Sequence, residues 1–290
     1  MRRVSSTMDH PQYGDDFGWK RHLRERLSRT LARHPQAYLW VQGRRRDANP
    51  EKILFISLVR DGDYVVDVGA NRGWFTVLFS YLVGRRGQVH AFEPVPATHA
   101  LLSRSVRTYC VERNVTLNRL ALGDSVGTVQ MHVPADDDGQ ASMRIHAGFS
   151  SWGAGRFSTV EAPLSTLDAY LEDKALPSIR LIKCDVEGAE RLFLQGATRT
   201  IRRYMPILHL EICHPLARTF GYAPEDLMSD LVALGYGTWF VTGDVGPGWA
   251  EPGRLFAVPP AWVNLTCFSA AAHGEAIARL RASRFGHRAA

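Results

Sequence analysis

The feature that most constrains the fold of this sequence is a regular alternation between short apolar runs and amphipathic segments. The apolar runs are rich in β-branched residues, which predicts strands, and the segments between them have the spacing of helices. Alternation of this kind produces parallel strands joined by crossover helices. We therefore predict an α/β protein with a doubly wound, mostly parallel sheet and helices on both faces. Strands are predicted at residues 64–69, 88–93, 115–120, 128–133, 179–185, 207–212, 237–241 and 255–258, and helices at 51–60, 74–83, 96–112, 189–204 and 224–234.

The N-terminal arm differs in charge from the rest of the chain. Residues 1–46 contain eleven Lys or Arg and four acids, whereas the whole chain has a net charge of +6. Residues 19–34 place Leu23, Leu27 and Leu31 at a spacing of four, which predicts an amphipathic helix. We expect this helix to pack on the main domain; a homodimer contact and a membrane-surface helix are the alternatives. The body lacks a basic stripe interleaved with aromatic residues, so we expect no nucleic-acid partner.

The composition is that of a globular protein. Hydrophobic residues make up 45% and charged residues 22% of the chain, which excludes global disorder. No apolar run approaches the ~18–20 residues of a membrane span, and no apolar core follows the first arginines, so no secretory signal is expected. The four cysteines lack CxxC spacing, which favours a reduced, cytoplasmic location. We divide the chain into a basic helical arm at 1–50, a main domain at 51–270 and a C-terminal helical tail at 271–290.

A glycine-containing turn follows the first predicted strand. The segment "YVVDVGANRGWF" ends a strand near Asp67 and continues through a turn at residues 69–73. Ligands of such sheets lie at the carboxyl ends of strands, and glycine lets the backbone approach a ligand closely. The spacing is GxNxG rather than the GxGxxG of dinucleotide enzymes, and Asp67 would oppose a phosphate. Glu93 ends the second strand, where an acid can accept both hydroxyls of a ribose. The pattern favours S-adenosylmethionine over a nicotinamide cofactor.

Six segments of the sequence together resemble a known family. They are "VVDVGANRGWFT", "HAFEPVPATHALLSRSV", "LALGDSVGTV", "LSTLDAYL", "IRLIKCDVEGAERLFLQGA" and "MPILHLEIC", in this order. In combination they resemble the FkbM-family S-adenosylmethionine-dependent methyltransferases over about residues 53–213. The resemblance implies a class I, Rossmann-like methyltransferase sheet of seven strands. It also implies O-methyl transfer to a hydroxyl of a sugar, a glycan or a secondary metabolite.

The resemblance also assigns residues to a cofactor site. It places the turn at 69–73 under the methionine part of S-adenosylmethionine, and it gives Glu93 the ribose hydroxyls. Pro94 is expected near the adenine, and Ala121 and Leu122 are expected to frame that ring. The full set of predicted cofactor-binding residues is Asp67, Gly69, Ala70, Asn71, Gly73, Phe75, Glu93, Pro94, Ala121, Leu122 and Asp185.

Two strand ends and the loop after the second one supply the candidate catalytic residues. Methyl transfer is an in-line displacement, and an alcohol that attacks must lose its proton to a positioned base. Asp185 ends one strand, Glu211 ends the next, and His214 follows in the loop with an ordinary pKa suited to a base at neutral pH. The sequence leaves open which of the three is the base. Lys183 is predicted to form an internal ion pair, because an unpaired buried lysine is costly, and His209 is predicted to be structural.

The remaining candidates concern the acceptor and a metal. Ser142 lies in a segment that resembles a short family segment near the active site, so we predict an acceptor contact. Trp152 is predicted to be either a sugar-stacking platform or a loop anchor. Glu187 is predicted either to cap the next helix or to join the site. The acids at 136–138 read as a solvated turn, and no His, Asp or Glu cluster has the spacing of a metal site, so none is expected.

Three other functions remain as alternatives at this point. A nicotinamide-dependent oxidoreductase is disfavoured by the lack of GxGxxG. An RNA-directed methyltransferase rests only on the basic arm. A non-catalytic cofactor-binding protein is disfavoured by intact acids at the strand ends.

Overall fold

The structure is a computed structural model that describes residues 49–109, 112–135, 140–145, 157–243, 247–250 and 262–283, and the single residues 34, 37 and 40. The chain divides into two compact units, Met1–Arg45 and Arg46–Ala290, and every element named below belongs to the second. Residues 19–33 of the predicted helix with its dimer contact, the acids at 136–138, Trp152 and the predicted strand at 255–258 lie outside the described residues.

Helices and strands alternate through the second unit as the sequence predicts. In chain order they are α1 (Pro50–Leu58), β1 (Tyr64–Val68), α2 (Trp74–Val83), β2 (Gln88–Phe92), α3 (Pro96–Thr108), β3 (Val115–Asn118), β4 (Ala121–Leu122), β5 (Gly127–Pro134), β6 (Phe157–Ser165), α4 (Leu167–Tyr170), β7 (Leu181–Cys184), α5 (Glu190–Gly196), α6 (Thr198–Tyr204), β8 (Ile207–Cys213), α7 (His214–Thr219), α8 (Pro224–Ala233), β9 (Thr238–Gly243), β10 (Gly248–Ala250), β11 (Trp262–Phe268) and α9 (Ala270–Ala282).

The main sheet has eight described strands in the order β10-β9-β11-β8-β7-β1-β2-β3. Strands β11 and β10 run antiparallel to their neighbours, and the other six share one direction. The sheet is therefore mostly parallel, but the expected number of seven is wrong. Strand β11 was not predicted because Asn264 and Thr266 interrupt its apolar pattern on one face. Those two polar side chains pair with groups from distant parts of the chain, which local patterning cannot show.

A second sheet of three strands, β4-β6-β5, lies outside the main one. Strands β5 and β6 form an antiparallel pair along their whole length. Only β5 was predicted, because β6 carries mainly polar or exposed side chains. An isolated bridge between His132 and Ser142 attaches residues 140–145 to the edge of β5. The second sheet therefore brings Ser142 to a fixed position.

The predicted single helix at 189–204 is two helices. Helix α5 ends at Gly196, and α6 begins at Thr198, with Ala197 at a non-helical φ of −114° between them. The Asp168 carboxylate accepts hydrogen bonds from the backbone nitrogens of Arg199 and Thr200, at 2.9 and 2.7 Å. A side chain from α4 thus satisfies donors at the start of α6, which are free in an uncapped helix.

The two faces of the main sheet differ in polarity. One face is apolar and packs against the main core through side chains such as Val66, Ile182 and Leu208. The other face carries a row of polar side chains in direct register across four strands, formed by Asp67, Lys183, His209 and Thr266. All four are buried. Because buried polar groups need partners, this row organises the site at the carboxyl ends of the strands.

Helices α1 and α2 cover the polar face. Phe55 of α1 packs edge-on against the His209 ring with centroids 4.8 Å apart. Phe55 also contacts Phe75 and Phe79 of α2, at 5.3 and 5.0 Å between ring centroids. This aromatic layer excludes water from the polar row. Within the described residues, no helix combines the length and the apolar character required to cross a bilayer.

Candidate active site

The glycine turn after β1 is built from left-handed backbone. Gly69, Asn71 and Gly73 have φ values of 71°, 48° and 86°, a region that glycine enters without strain and that asparagine tolerates. A Cβ atom on Gly69 would lie 1.8 Å from the main-chain oxygen of Asp185, and one on Gly73 would lie 2.7 Å from Leu102 Cδ1. Gly69 is therefore required by packing against backbone as well as by its own backbone conformation, whereas at Gly73 the close atom is the end of a flexible side chain that can shift. The turn is held directly against the end of β7.

Glu93 connects this turn to the end of β2. Its Oε2 accepts a hydrogen bond from the backbone nitrogen of Asn71 at 3.0 Å, and its Oε1 accepts one from the nitrogen of Val95 at 3.0 Å. The side chain is only 6% exposed. These two hydrogen bonds fix the orientation of the carboxylate. The structure thus places Glu93 beside the glycine turn at the carboxyl ends of the strands, and its predicted contact with a ribose stays a prediction.

Asp67 lies beneath the turn, inside the core. Its Oδ2 accepts a hydrogen bond from Thr76 Oγ1 of α2 at 2.6 Å, and its Oδ1 lies 3.9 Å from Lys183 Nζ. Burial raises the pKa of Asp67, and the Lys183 charge opposes that rise. Asp67 therefore ties α2 to the polar row, and its predicted closeness to a cofactor stays a prediction.

Lys183 forms the internal ion pair that the sequence predicts. Its ammonium lies 3.0 Å from Asp185 Oδ2 and 5.4 Å from the centre of the Phe75 ring, and the residue is 3% exposed. Burial alone would lower the pKa of Lys183, but the charges of Asp185 and Asp67 raise it above the usual lysine value. Lys183 is therefore a permanent cation here and not a base.

Asp185 directly follows β7, Glu211 lies near the end of β8, and their carboxyl groups form a pair. Burial would raise the pKa of Asp185, but Lys183 and a hydrogen bond from Glu211 hold it below its usual value. Burial and the Asp185 charge raise the pKa of Glu211 well above its usual value. These shifts favour an ionised Asp185 and a protonated Glu211 that donates to it. The Asp185 side chain keeps 32% of its surface exposed, so this carboxylate reaches open space.

Glu187 completes a group of three carboxyls. Asp185, Glu187 and Glu211 each place one carboxylate oxygen within 4.8 Å of the others. The expectation that no acidic residues converge is therefore wrong, because the loop after β7 turns Glu187 back towards the strand ends. Such a group has the hard oxygen ligands that divalent cations prefer, and the absence of a metal requirement stays a prediction. Glu187 does not cap the next helix: the acid in the first turn of α5 is Glu190.

The two histidines near these carboxyls are in different surroundings. His209 is 2% exposed, and its Nδ1 lies 2.9 Å from Thr266 Oγ1. Burial lowers the pKa of His209 to about 3, with Lys183 adding to the effect. His209 is thus a neutral member of the polar row. His214 is the first residue of α7, directly after β8, and is partly exposed; its predicted role as a base stays open.

The other predicted residues surround this centre. Phe75 lies in the aromatic layer, and Pro94 follows Glu93 in the link to α3. Ala121 and Leu122 are buried in β4. Ser142 is fully buried, and its hydroxyl donates to the Glu187 main-chain oxygen at 2.9 Å. Ser142 therefore contacts the loop after β7, and its predicted contact with an acceptor is untested.

The sequence did not point to Glu51, which lies in the first turn of α1. Its Oε1 accepts hydrogen bonds from Asn264 Nδ2 and, at 3.4 Å, from Thr242 Oγ1, and it lies 3.9 Å from His209 Nε2. Burial raises the pKa of Glu51, and Lys183 opposes this. Its hydrogen-bond partners are 191 and 213 residues away along the chain. No local signal could have found this contact.

Comparison with known proteins agrees with this geometry. The family model described as the methyltransferase FkbM domain matches residues 67–237, more than half of the chain. The 31-O-demethyl-FK506 methyltransferase FkbM of Streptomyces tacrolimicus is 28% identical over 160 residues. That match covers 48% of this chain, which spans 60% of the length of the relative.

Two solved structures are distantly similar to this chain. A methyltransferase FkbM from Methylobacillus flagellatus is 17% identical, with a TM-score of 0.46, over 73% of this chain and 48% of that one. The fibrillarin of Aeropyrum pernix, solved with bound S-adenosylmethionine, is 12% identical, with a TM-score of 0.39, over 72% of this chain and 68% of that one. Likenesses this weak carry no argument about the site.

The donor set of the site fits the cofactor of the matched family. Glu93 places a carboxylate at the end of β2, and the adjoining turn has no basic phosphate cradle of the GxxxxGK type. The anionic Asp185 lies against the turn and suits a cationic ligand rather than a pyrophosphate. This chain therefore belongs to the FkbM methyltransferase domain family, and its cofactor is S-adenosylmethionine.

Proposed function

We propose that this protein is an O-methyltransferase that methylates a hydroxyl of a sugar, a glycan or a secondary metabolite. The observation that carries this proposal is the partly exposed Asp185 carboxylate, which pairs with Lys183 at 3.0 Å and lies beside Glu211 at the strand ends. A hydroxyl acceptor must be oriented and must lose a proton, and a fixed carboxylate suits both tasks. The relative of known activity is named for methylation at an oxygen, which agrees with the proposal.

The residues of this chain divide the work in the proposed reaction. S-Adenosylmethionine supplies an activated methyl group on a sulfonium. The Asp185 carboxylate accepts the hydrogen bond of the acceptor hydroxyl and so orients its oxygen. Lys183 prevents the Asp185 side chain from rotating away, through the 3.0 Å ion pair. Because the pKa of Asp185 is lowered, Asp185 is a weak base, so positioning is its main contribution. The hydroxyl proton passes to its carboxylate late in the transfer, as the oxygen gains the methyl group.

Labelled methyl transfer tests this function. Protein, methyl-labelled S-adenosylmethionine and an extract of small polar molecules from the producing strain are expected to give a labelled methyl ether, identified by mass spectrometry. Asp185→Asn should lower the turnover rate by about 10²-fold or more, because it removes the charge that orients the acceptor. Asp173→Asn, an exposed acid away from the site, is the matched control and should behave as wild type.

Two results would contradict the proposal. One is label on nitrogen or carbon only; the other is Asp185→Asn with wild-type turnover. Transfer is expected to continue in excess EDTA. Loss of transfer that magnesium restores would mean that Asp185, Glu187 and Glu211 bind a cation needed for the reaction.

A further inference from the structure

The loop between β7 and α5 carries the site's acidic groups on strained backbone. Asp185 and Glu187 lie in this loop, and Glu187 and Gly188 have φ values of 52° and 99°. A left-handed φ is uncommon for glutamate and persists only where surrounding contacts fix it. A Cβ on Gly188 would lie 2.9 Å from Leu216 Cβ, so the loop also packs closely on α7. Contacts from outside the loop must therefore hold this backbone conformation.

Two buried side chains, Glu190 and Tyr222, form hydrogen bonds to the backbone of this loop. Glu190 Oε1 accepts hydrogen bonds from the backbone nitrogens of Val186 and Gly188, both at 3.2 Å. The Tyr222 hydroxyl lies 3.2 Å from Glu190 Oε2 and donates to the Gly188 main-chain oxygen at 2.9 Å. Together, Glu190 and Tyr222 satisfy three backbone groups within the three residues Val186–Gly188. Neither residue has a role in the site as described above.

Both side chains are buried among other titratable groups. Glu190 is 2% exposed and Tyr222 is 6% exposed. Burial raises the pKa of Glu190 to about 7, although its backbone hydrogen bonds oppose the rise, and the charge of Asp185 adds to it. Cys184, Glu211 and Tyr222 also interact electrostatically with Glu190. An acid is costly at such a place, and an apolar side chain could not bind the two loop nitrogens.

The loop after β7 also packs against the glycine turn at residues 69–73. The main-chain oxygen of Asp185 lies so close to Gly69 that a Cβ there would meet it at 1.8 Å, and the Asp185 nitrogen donates to Val68 O at 3.2 Å. A shift of the loop by a fraction of an ångström would therefore move both the Asp185 carboxylate and the turn.

We propose that Glu190 and Tyr222 are positioning residues that hold the loop after β7 in the one shape that seats it against the glycine turn and directs Asp185 towards Lys183 and Glu211. Glu190 holds the backbone nitrogens of Val186 and Gly188. Tyr222 holds the main-chain oxygen of Gly188 and the Glu190 side chain. Their effect on cofactor affinity follows from the geometry alone; their effect on turnover rests on the proposed function.

Three variants separate positioning from mere stability. Glu190→Gln keeps an oxygen for both backbone nitrogens, Glu190→Ala removes it, and Tyr222→Phe removes one hydroxyl at nearly constant volume. The control is Glu225→Gln, an exposed acid in the first turn of α8. The dissociation constant of S-adenosylhomocysteine is measured by calorimetry well below the unfolding midpoint of each variant, with folding checked by circular dichroism.

The expected order is a graded loss of affinity. Glu190→Gln should stay within about threefold of wild type, Tyr222→Phe should weaken binding by about threefold or more, and Glu190→Ala by about tenfold or more, because unpaired buried donors are costly. If Glu190→Ala does not fold, the affinities of Tyr222→Phe and Glu190→Gln for S-adenosylhomocysteine are compared instead, and that comparison tests the proposal. Wild-type affinity in Tyr222→Phe, or a loss in Glu190→Gln as large as in Tyr222→Phe, would overturn the proposal.

A turnover measurement distinguishes this inference from the proposed function. With an acceptor in hand, Tyr222→Phe should lower kcat by about threefold or more, while KM for the acceptor changes little. Wild-type protein that binds S-adenosylhomocysteine but labels no hydroxyl would refute the proposed function and leave the affinity result valid. A lower unfolding midpoint with unchanged affinity and unchanged kcat would show a structural role only.

Discussion

At the scale of single residues, the site depends on which carboxyl holds a proton. Asp185 and Glu211 end adjacent strands, and Lys183 approaches only Asp185 at hydrogen-bond distance. That asymmetry explains why the pKa of Asp185 falls while the pKa of Glu211 rises. The sequence identified both acids because period-two alternation places them at strand ends on one face. It could not assign their protonation, because the Lys183 contact depends on three-dimensional distances.

The raised pKa of Glu211 predicts a pH dependence of stability. The folded state binds the Glu211 proton more tightly than the unfolded state, so this group stabilises the fold below the ordinary glutamate pKa, and the contribution is lost as pH rises through the raised value. Glu211→Gln keeps a donor to Asp185 and cannot ionise. The free energy of unfolding of this variant relative to wild type should therefore increase from pH 5 to pH 9, as measured by urea unfolding. A constant difference across that range would mean that Glu211 is ionised in the folded protein.

At the scale of elements, the turn at 69–73 and the loop after β7 form one packed unit. The sequence predicted the turn because glycine and asparagine at that spacing follow an apolar strand. It did not show that the Gly69 position is closed by the Asp185 main-chain oxygen, since residues over a hundred positions apart meet there. Similarly, Glu190 was visible as an acid after "DVEG", but nothing near it in sequence indicated Tyr222.

Two glycine substitutions test this packing. Gly69→Ala would place its Cβ 1.8 Å from the Asp185 oxygen at a φ of +71°, so backbone must move. Gly62→Ala is the matched control, because Gly62 has a φ of +94° and open space around it. The free energy of unfolding of both variants should fall by about 1–3 kcal/mol, because alanine is strained at a left-handed φ. Only Gly69→Ala should also weaken S-adenosylhomocysteine binding, by about tenfold or more; equal affinities of the two variants would contradict a close approach at Gly69.

At the scale of the whole molecule, the site extends beyond the segment that matches the family. Helix α1 precedes that segment, and strand β11 follows it. Glu51 nevertheless links α1 to Thr242 and Asn264 across the polar face. The sequence could predict the parallel half of the sheet, where apolar runs are regular. It could not predict the antiparallel end, where polar residues face the site and their partners lie far away in the chain.

Truncation tests how much of the chain the site requires. A chain starting at Arg46 keeps the Asn49 cap, whose side chain accepts from the Lys52 nitrogen, and should bind S-adenosylhomocysteine as the full chain does. A chain starting at Arg60 loses Leu54, Phe55 and Leu58, which are 0% exposed. Burying each such side chain contributes about 1.5–3 kcal/mol, so this shorter chain should fail to fold cooperatively by circular dichroism. Full-length affinity in the shorter chain would show that α1 is dispensable.

The position of β11 has a consequence for the order of events during synthesis. This strand lies between β8 and β9 in the sheet, although it is the last of the described strands to leave the ribosome. Until residues 262–268 emerge, β8 presents an unpaired edge, the β9–β10 pair has no attachment to the rest of the sheet, and Glu51 lacks Asn264. Long-range pairing of this kind is slow, and exposed strand edges invite association between chains. A nascent chain of this protein therefore exposes an unpaired strand edge until residues 262–268 have emerged, which makes the arrival of β11 the step at which chaperone assistance matters most.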